Sequence, residues 1–115
     1  SGQNFMRALQ YEKAIDVFQD IIDNEEFDGG KIRAQALFWG AYSRELYPTS
    51  EDDYRTRGTM IREAYQMYRR ITFDFPDSIW AKRARGRLAD PVFERIIEQE
   101  NEARERLIEN IKSMR

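Results

Sequence analysis

Histidine and cysteine are both missing from the 115 residues, and each absence removes a class of chemistry. A Ser-His-Asp or Cys-His nucleophile cannot be assembled. Zinc sites take thiolate or imidazole ligands in nearly every case, so they are excluded with them. A carboxylate di-metal centre built on Glu-x-x-His falls for the same reason. No disulfide can form, which leaves the redox compartment open. No apolar run approaches the roughly 20 residues that span a bilayer, and no signal-peptide core is visible. Ser1-Gly2 reads as a processing scar or a cut inside a longer chain, so missing targeting signals carry little weight. Strand signals are scarce as well, because alternation of period two is never sustained.

What is present is charge on an apolar frame. Apolar residues make up 41% and charged residues 35% of the chain, which fits one globular domain with a modest core. The net charge of −2 argues against overall nucleic-acid affinity but hides an uneven spread. Residues 1–28 carry two basic and seven acidic side chains, and residues 55–90 carry nine basic and four acidic. Such an asymmetry steers an acidic partner towards one end.

Helical spacing recurs throughout and predicts an all-α fold of antiparallel neighbours. Residues 3–23 place Phe5, Leu9, Ala14, Ile15, Phe18, Ile21 and Ile22 on one stripe, with Asp16, Gln19, Asp20 and Asp23 opposite. A bend or short loop is expected at Tyr11, and Gly29-Gly30 is expected to stop the helix. A second helix is expected from Lys31 to about Leu46 and ends before Pro48. Thr49 or Ser50 is expected to cap a short turn across Glu51-Asp52-Asp53. These three carboxylates lack the spacing of a calcium loop. A third helix, about 55–73, carries Met60, Ile61, Ala64, Tyr65, Tyr68, Ile71 and Thr72; Pro76 forbids its continuation. Asp77 or Ser78 caps a fourth helix over 79–89, whose expected buried stripe is Ile79, Ala84 and Leu88. Asp90-Pro91 then starts a last helix running towards Ser113.

Beneath these helices lies a repeat. Ala14, Phe18 and Ile21 have the same spacing as Ala64, Tyr68 and Ile71, and Pro76 stands twelve residues beyond Ala64. Gly2, Phe5 and Tyr11 extend the first set, and Ala41 and Gly86 take the small-residue positions of later units. This pattern resembles the tetratricopeptide repeat, a helix-turn-helix unit of about 34 residues. The resemblance covers roughly residues 1–90, with a truncated first unit and extra residues at 24–33 and 47–56. The joint FPDSIWAKRARGRL, residues 75–88, looks like that of bacterial cell-envelope members, including outer-membrane assembly lipoproteins. The resemblance therefore implies a short right-handed superhelix, a periplasmic or outer-membrane-peripheral setting, and residues 91–115 as a closing helix.

It also implies a non-enzymatic scaffold in a larger bacterial assembly that holds a partner peptide or subunit, without cofactor or metal. Carried over by position, the groove residues are Gln35, Phe38, Tyr42 and Glu45 from the second unit and Trp80, Arg83 and Arg87 from the third. Aromatic and arginine side chains together suit an extended peptide with acidic features. The carboxylate clamp of chaperone-docking members is missing, since its positions hold Gln3, Trp80 and Ala84. Lys82, Arg83, Arg85 and Arg87 have only Trp80 as a neighbouring aromatic, which argues against nucleic acid. The last helix carries a seam of Phe93, Ile97, Glu100, Arg104, Leu107, Ile111 and Met114. The alternative reading is a structural subunit held through that helix and its N-terminal edge, with residues 93–114 pairing with a partner helix and Glu100 and Arg104 fixing the register.

Overall fold

The fold is set by where alanine falls on the helices. The computed structural model describes residues 2–24 and 31–114, with backbone alone for residues 2–6 and 31. The expected Gly29-Gly30 stop and the side chains of Gln3 and Phe5 lie outside the described residues. Five α-helices follow one another: α1 (Gly2–Asp23), α2 (Lys31–Glu45), α3 (Tyr54–Asp74), α4 (Ile79–Leu88) and α5 (Glu94–Ser113), with a 3₁₀ turn at Pro91–Phe93 before the last. No strand occurs among the described residues. α1 packs on α2, α2 on α3 and α3 on α4; α2 also touches α4, and the 3₁₀ turn before α5 packs on α3. Ala34, Ala41, Ala64, Ala81 and Ala84 are wholly buried, so three helices approach with no bulky side chain between them. Gly40 lies where α1 and α3 converge on α2: a Cβ there would meet Met67 Cε at 2.8 Å and Phe18 Cβ at 3.5 Å.

The helix boundaries follow local rules. Ser78 caps α4, its Oγ accepting from Ala81 N at 3.0 Å. Asp90 Oδ1 accepts from Val92 N at 2.9 Å, with Pro91 opening the 3₁₀ turn. Both meet the first-turn N–H groups that no intrahelical carbonyl can reach. α3 is capped by Asp53, which accepts from Thr56 N at 3.1 Å; Ser50 closes the preceding turn through its carbonyl, which accepts from Asp53 N at 3.1 Å. Hydrogen bonding from Thr56, by its side chain first and its backbone N–H second, holds the Asp53 carboxyl below its usual range.

Three further expectations change. α1 runs unbroken through Tyr11, because neither Pro nor Gly interrupts the turn there, and it is therefore one helix rather than two. Ile79 points to solvent, and Ala81 is buried in its place. Gly86 is exposed, and a Cβ on it would meet open space; the close approach of α4 uses Ala81 and Ala84 instead.

At the centre stands Tyr68 of α3, fully buried. Its ring packs on Phe38 at 5.6 Å and edge-on to Phe93 at 5.8 Å, and its hydroxyl donates to Glu45 Oε1 at 3.3 Å. Arg44, also largely withdrawn from water, ties three helices. It donates to Glu63 of α3 at 2.9 Å, to the Gly40 carbonyl at 3.1 Å and to Gln19 of α1 at 3.3 Å.

Burial, with Glu45 beside it, holds the Tyr68 hydroxyl far above the ordinary tyrosine value of 10.0. The unfolded chain therefore loses this proton first on alkalinisation. Stability from burying Tyr68 neutral is whole below about pH 10 and is lost as pH rises beyond it. Urea unfolding between about pH 9 and 11 should show a steeper decline for the wild type than for Tyr68→Phe; parallel declines would assign the alkaline sensitivity to other groups.

Candidate functional site: the aromatic and arginine face of α2 and α4

α2 presents Gln35, Phe38, Trp39, Tyr42 and Glu45 within three turns, and α4 lays Trp80, Arg83 and Arg87 beside them. The rings form a continuous cluster. Trp80 lies 5.5 Å from Phe38 and 6.1 Å from Trp39, while Tyr42 lies 6.2 Å from Phe38 and 6.0 Å from Trp39. These separations and tilts suit the ring quadrupoles. Arg83 sits over the Trp80 ring at 4.8 Å and Arg87 over Tyr42 at 5.8 Å, within reach of cation–π attraction.

The residues named from the sequence come together but differ in depth. Phe38 and Glu45 are each 6% exposed and belong to the interior. Tyr42, Trp80 and Arg87 are half-buried, and Gln35 and Arg83 are exposed. Gln35 stands one turn before Trp39 on the same side of α2. Trp39 was missed in the sequence reading, although its spacing from Gln35 and Tyr42 places it on that face. It is half-open to solvent and is a stronger candidate for contact than Phe38.

Glu45 and Arg87 form the electrostatic anchor. Glu45 ends α2, where the helix dipole disfavours a carboxylate, yet it is withdrawn from water. Arg87 compensates with two nitrogens: Nε donates to Glu45 Oε1 at 3.2 Å, and Nη2 donates to Glu45 Oε2 and also to Asp90 Oδ2 at 3.4 Å. Tyr68 donates to the same carboxylate, and Arg57 donates to the Glu45 carbonyl at 2.9 Å. This fork is the arrangement that favours arginine over lysine. It also splits the basic run of α4. Lys82, Arg83 and Arg85 face water, whereas Arg87 is committed to the chain's own carboxylate. Among the described residues, no three acidic side chains are placed to hold a metal ion.

Compared with known proteins, the chain matches no family model, no curated sequence and no solved structure.

Removing Arg87 strands a buried carboxylate, and that costs more than the pair itself contributes. Arg87→Met should lower the unfolding free energy by about 2 kcal/mol; this lies below the usual figure for a buried pair because Arg87 keeps a third of its side chain in water. The Glu45→Gln/Arg87→Met double variant should lose less than the sum of the single losses in urea denaturation. Strict additivity would show that the pair is not coupled.

Proposed function

We propose that the chain is a non-enzymatic binding module. In this reading it is a tetratricopeptide-like helical repeat whose α2–α4 face holds an extended segment of a protein partner in a larger assembly. α1 then belongs to the truncated first unit, α2 and α3 are the first and second helices of the second unit, α4 opens the third, the superhelix is right-handed, and α5 closes it. The bacterial cell envelope is the setting the resemblance implies.

The observation behind the reading is that Trp39, Tyr42 and Trp80 remain half-open on one face, with Arg83 stacked on Trp80. Rigid aromatic surface gains most from being covered at little cost in side-chain entropy, and such residues with arginine dominate binding energy at interfaces. Arg83 makes no salt bridge among the described residues, so the N–H edge of its guanidinium is available to a carboxylate. The ligand that suits this face is an extended peptide with an apolar residue for the aromatic surface and an acidic one for Arg83.

The chain's two tryptophans both lie on this face, and they supply the readout. A randomised peptide library selected against the protein should yield an acidic, apolar consensus. Titration of that peptide should shift the intrinsic tryptophan emission. Arg83→Glu, an exposed substitution that leaves the melting temperature unchanged, should weaken binding at least tenfold. A consensus that binds Arg83→Glu as well as the wild type, or without changing the emission, would remove the face from consideration.

A further inference from the structure

α5 is one amphipathic helix with two different fates. Its proximal part is held by the body: Phe93 is buried just before it, Ile96 and Ile97 pack partly on the core, and Tyr65 donates to Glu100. From Asn101 to Met114 every residue is exposed. The helix period continues there nonetheless. Leu107, Ile108, Ile111 and Met114 fall on one side at about 100° per residue, and they are between 45% and 85% exposed. Nothing in the described body covers them.

The charges beside this stripe are self-complementary in one orientation only. Glu105 and Lys112, seven residues apart, lie on the same flank with Ile108 between them, and neither has an ion-pair partner among the described residues. Arg104 interrupts the seam itself. Aligning two copies in parallel sets Arg104 against Arg104 at closest approach, which is repulsive. Reversing one copy about a two-fold axis near Ile108 removes that clash. With the axis midway between positions 108 and 109, Leu107 of each copy lies within one residue's rise, about 1.5 Å, of the level of Ile111 of the other, and Ile108 within the same distance of its own mate. Glu105 comes level with Lys112 on the shared flank, twice. Arg104 then lies level with residue 113 of the opposing copy, about 13 Å along the pair from the other Arg104.

We propose that residues 101–114 of α5 are a self-association surface that pairs antiparallel with the same segment of a second copy, closing a two-fold dimer. The symmetry is isologous and does not propagate into a filament. The segment is only about 21 Å long, so the interface is small and the dimer concentration-dependent. The surface is separate from the α2–α4 face and does not rest on the reading given for it.

Sedimentation and light scattering of the chain, from about 10 μM to 1 mM, should show the mass rising from monomer towards dimer. Leu107→Glu/Ile111→Glu should hold it at monomer without changing the melting temperature, since neither side chain touches the body. Arg83→Glu, on the other face, should leave the association unchanged. The chain's lack of cysteine allows the orientation to be read directly. Ile108→Cys should form a disulfide-linked dimer on mild oxidation. Arg104→Cys should not, because the two sulfurs would sit about 13 Å apart along the pair. Lys112→Glu should weaken association several-fold, and Glu105→Lys/Lys112→Glu should restore it. A chain that stays monomeric at 1 mM would overturn the proposal, and so would equal cross-linking at positions 104 and 108, which marks a parallel pair.

Discussion

The arrangement depends on one buried hydroxyl. Tyr68 brings its ring to the centre of the core, and a phenol so placed must find an acceptor. The acceptor is Glu45, itself withdrawn from water, and a carboxylate so placed is costly without a paired cation. Arg87 is drawn in from α4 to meet it, 42 residues away in sequence. Each demand creates the next, and together they link α3, α2 and α4 at one point. The alanines make this geometry possible, because Ala41, Ala64, Ala81 and Ala84 leave no bulk between the backbones. The position of α4, and with it the placing of Trp80 and Arg83 beside α2, follows from this junction.

α2 consequently serves two environments. Ala34, Leu37, Phe38 and Ala41 turn inward, while Gln35, Trp39 and Tyr42 turn towards α4 and solvent. Phe38 and Trp39 are neighbours in sequence and about 100° apart on the helix. One supports the cluster from beneath, in contact with Tyr68, and the other forms part of its open surface. The face is therefore backed by packed rings. A partner laid on it would meet aromatic groups with little rotamer freedom left to lose.

Signals confined to a few residues were readable from the sequence. Pro76, Ser78 and Asp90-Pro91 act through their own dihedral limits and hydrogen bonds, and the structure uses them as expected. The stripe Ile61, Ala64, Tyr65, Tyr68 and Ile71 has the helical period and is buried as one face. The bend expected at Tyr11 had neither Pro nor Gly behind it, and the backbone had no reason to obey it. Depth was not readable. The family resemblance assigned Phe38, Glu45 and Arg87 to a common groove, but burial of Glu45 requires knowing that Arg87 arrives from another helix. The inward turn of Ala81 in place of Ile79 likewise depends on how α4 is set down.

Glu100 marks where the body's hold on α5 ends. Up to that point the seam is occupied by the chain itself through Phe93 and Tyr65; beyond it the same apolar period runs on with nothing in the described body against it. The radius of gyration of 16.6 Å exceeds the roughly 13 Å of a compact domain of this size, as an arm held at one end requires. A helix that only closed a core would have no need of Leu107, Ile108 and Ile111, since exposed apolar positions contribute nothing to a solvated arm and invite association. Pairing through this arm leaves the α2–α4 face untouched on each copy, and so presents it twice. Two modest faces on one dimer can hold a repeated or dimeric partner more tightly than either alone, provided the span between them matches. On the reading proposed for the α2–α4 face, the aromatic surface would set what is recognised and the helix would set how many copies recognise it together.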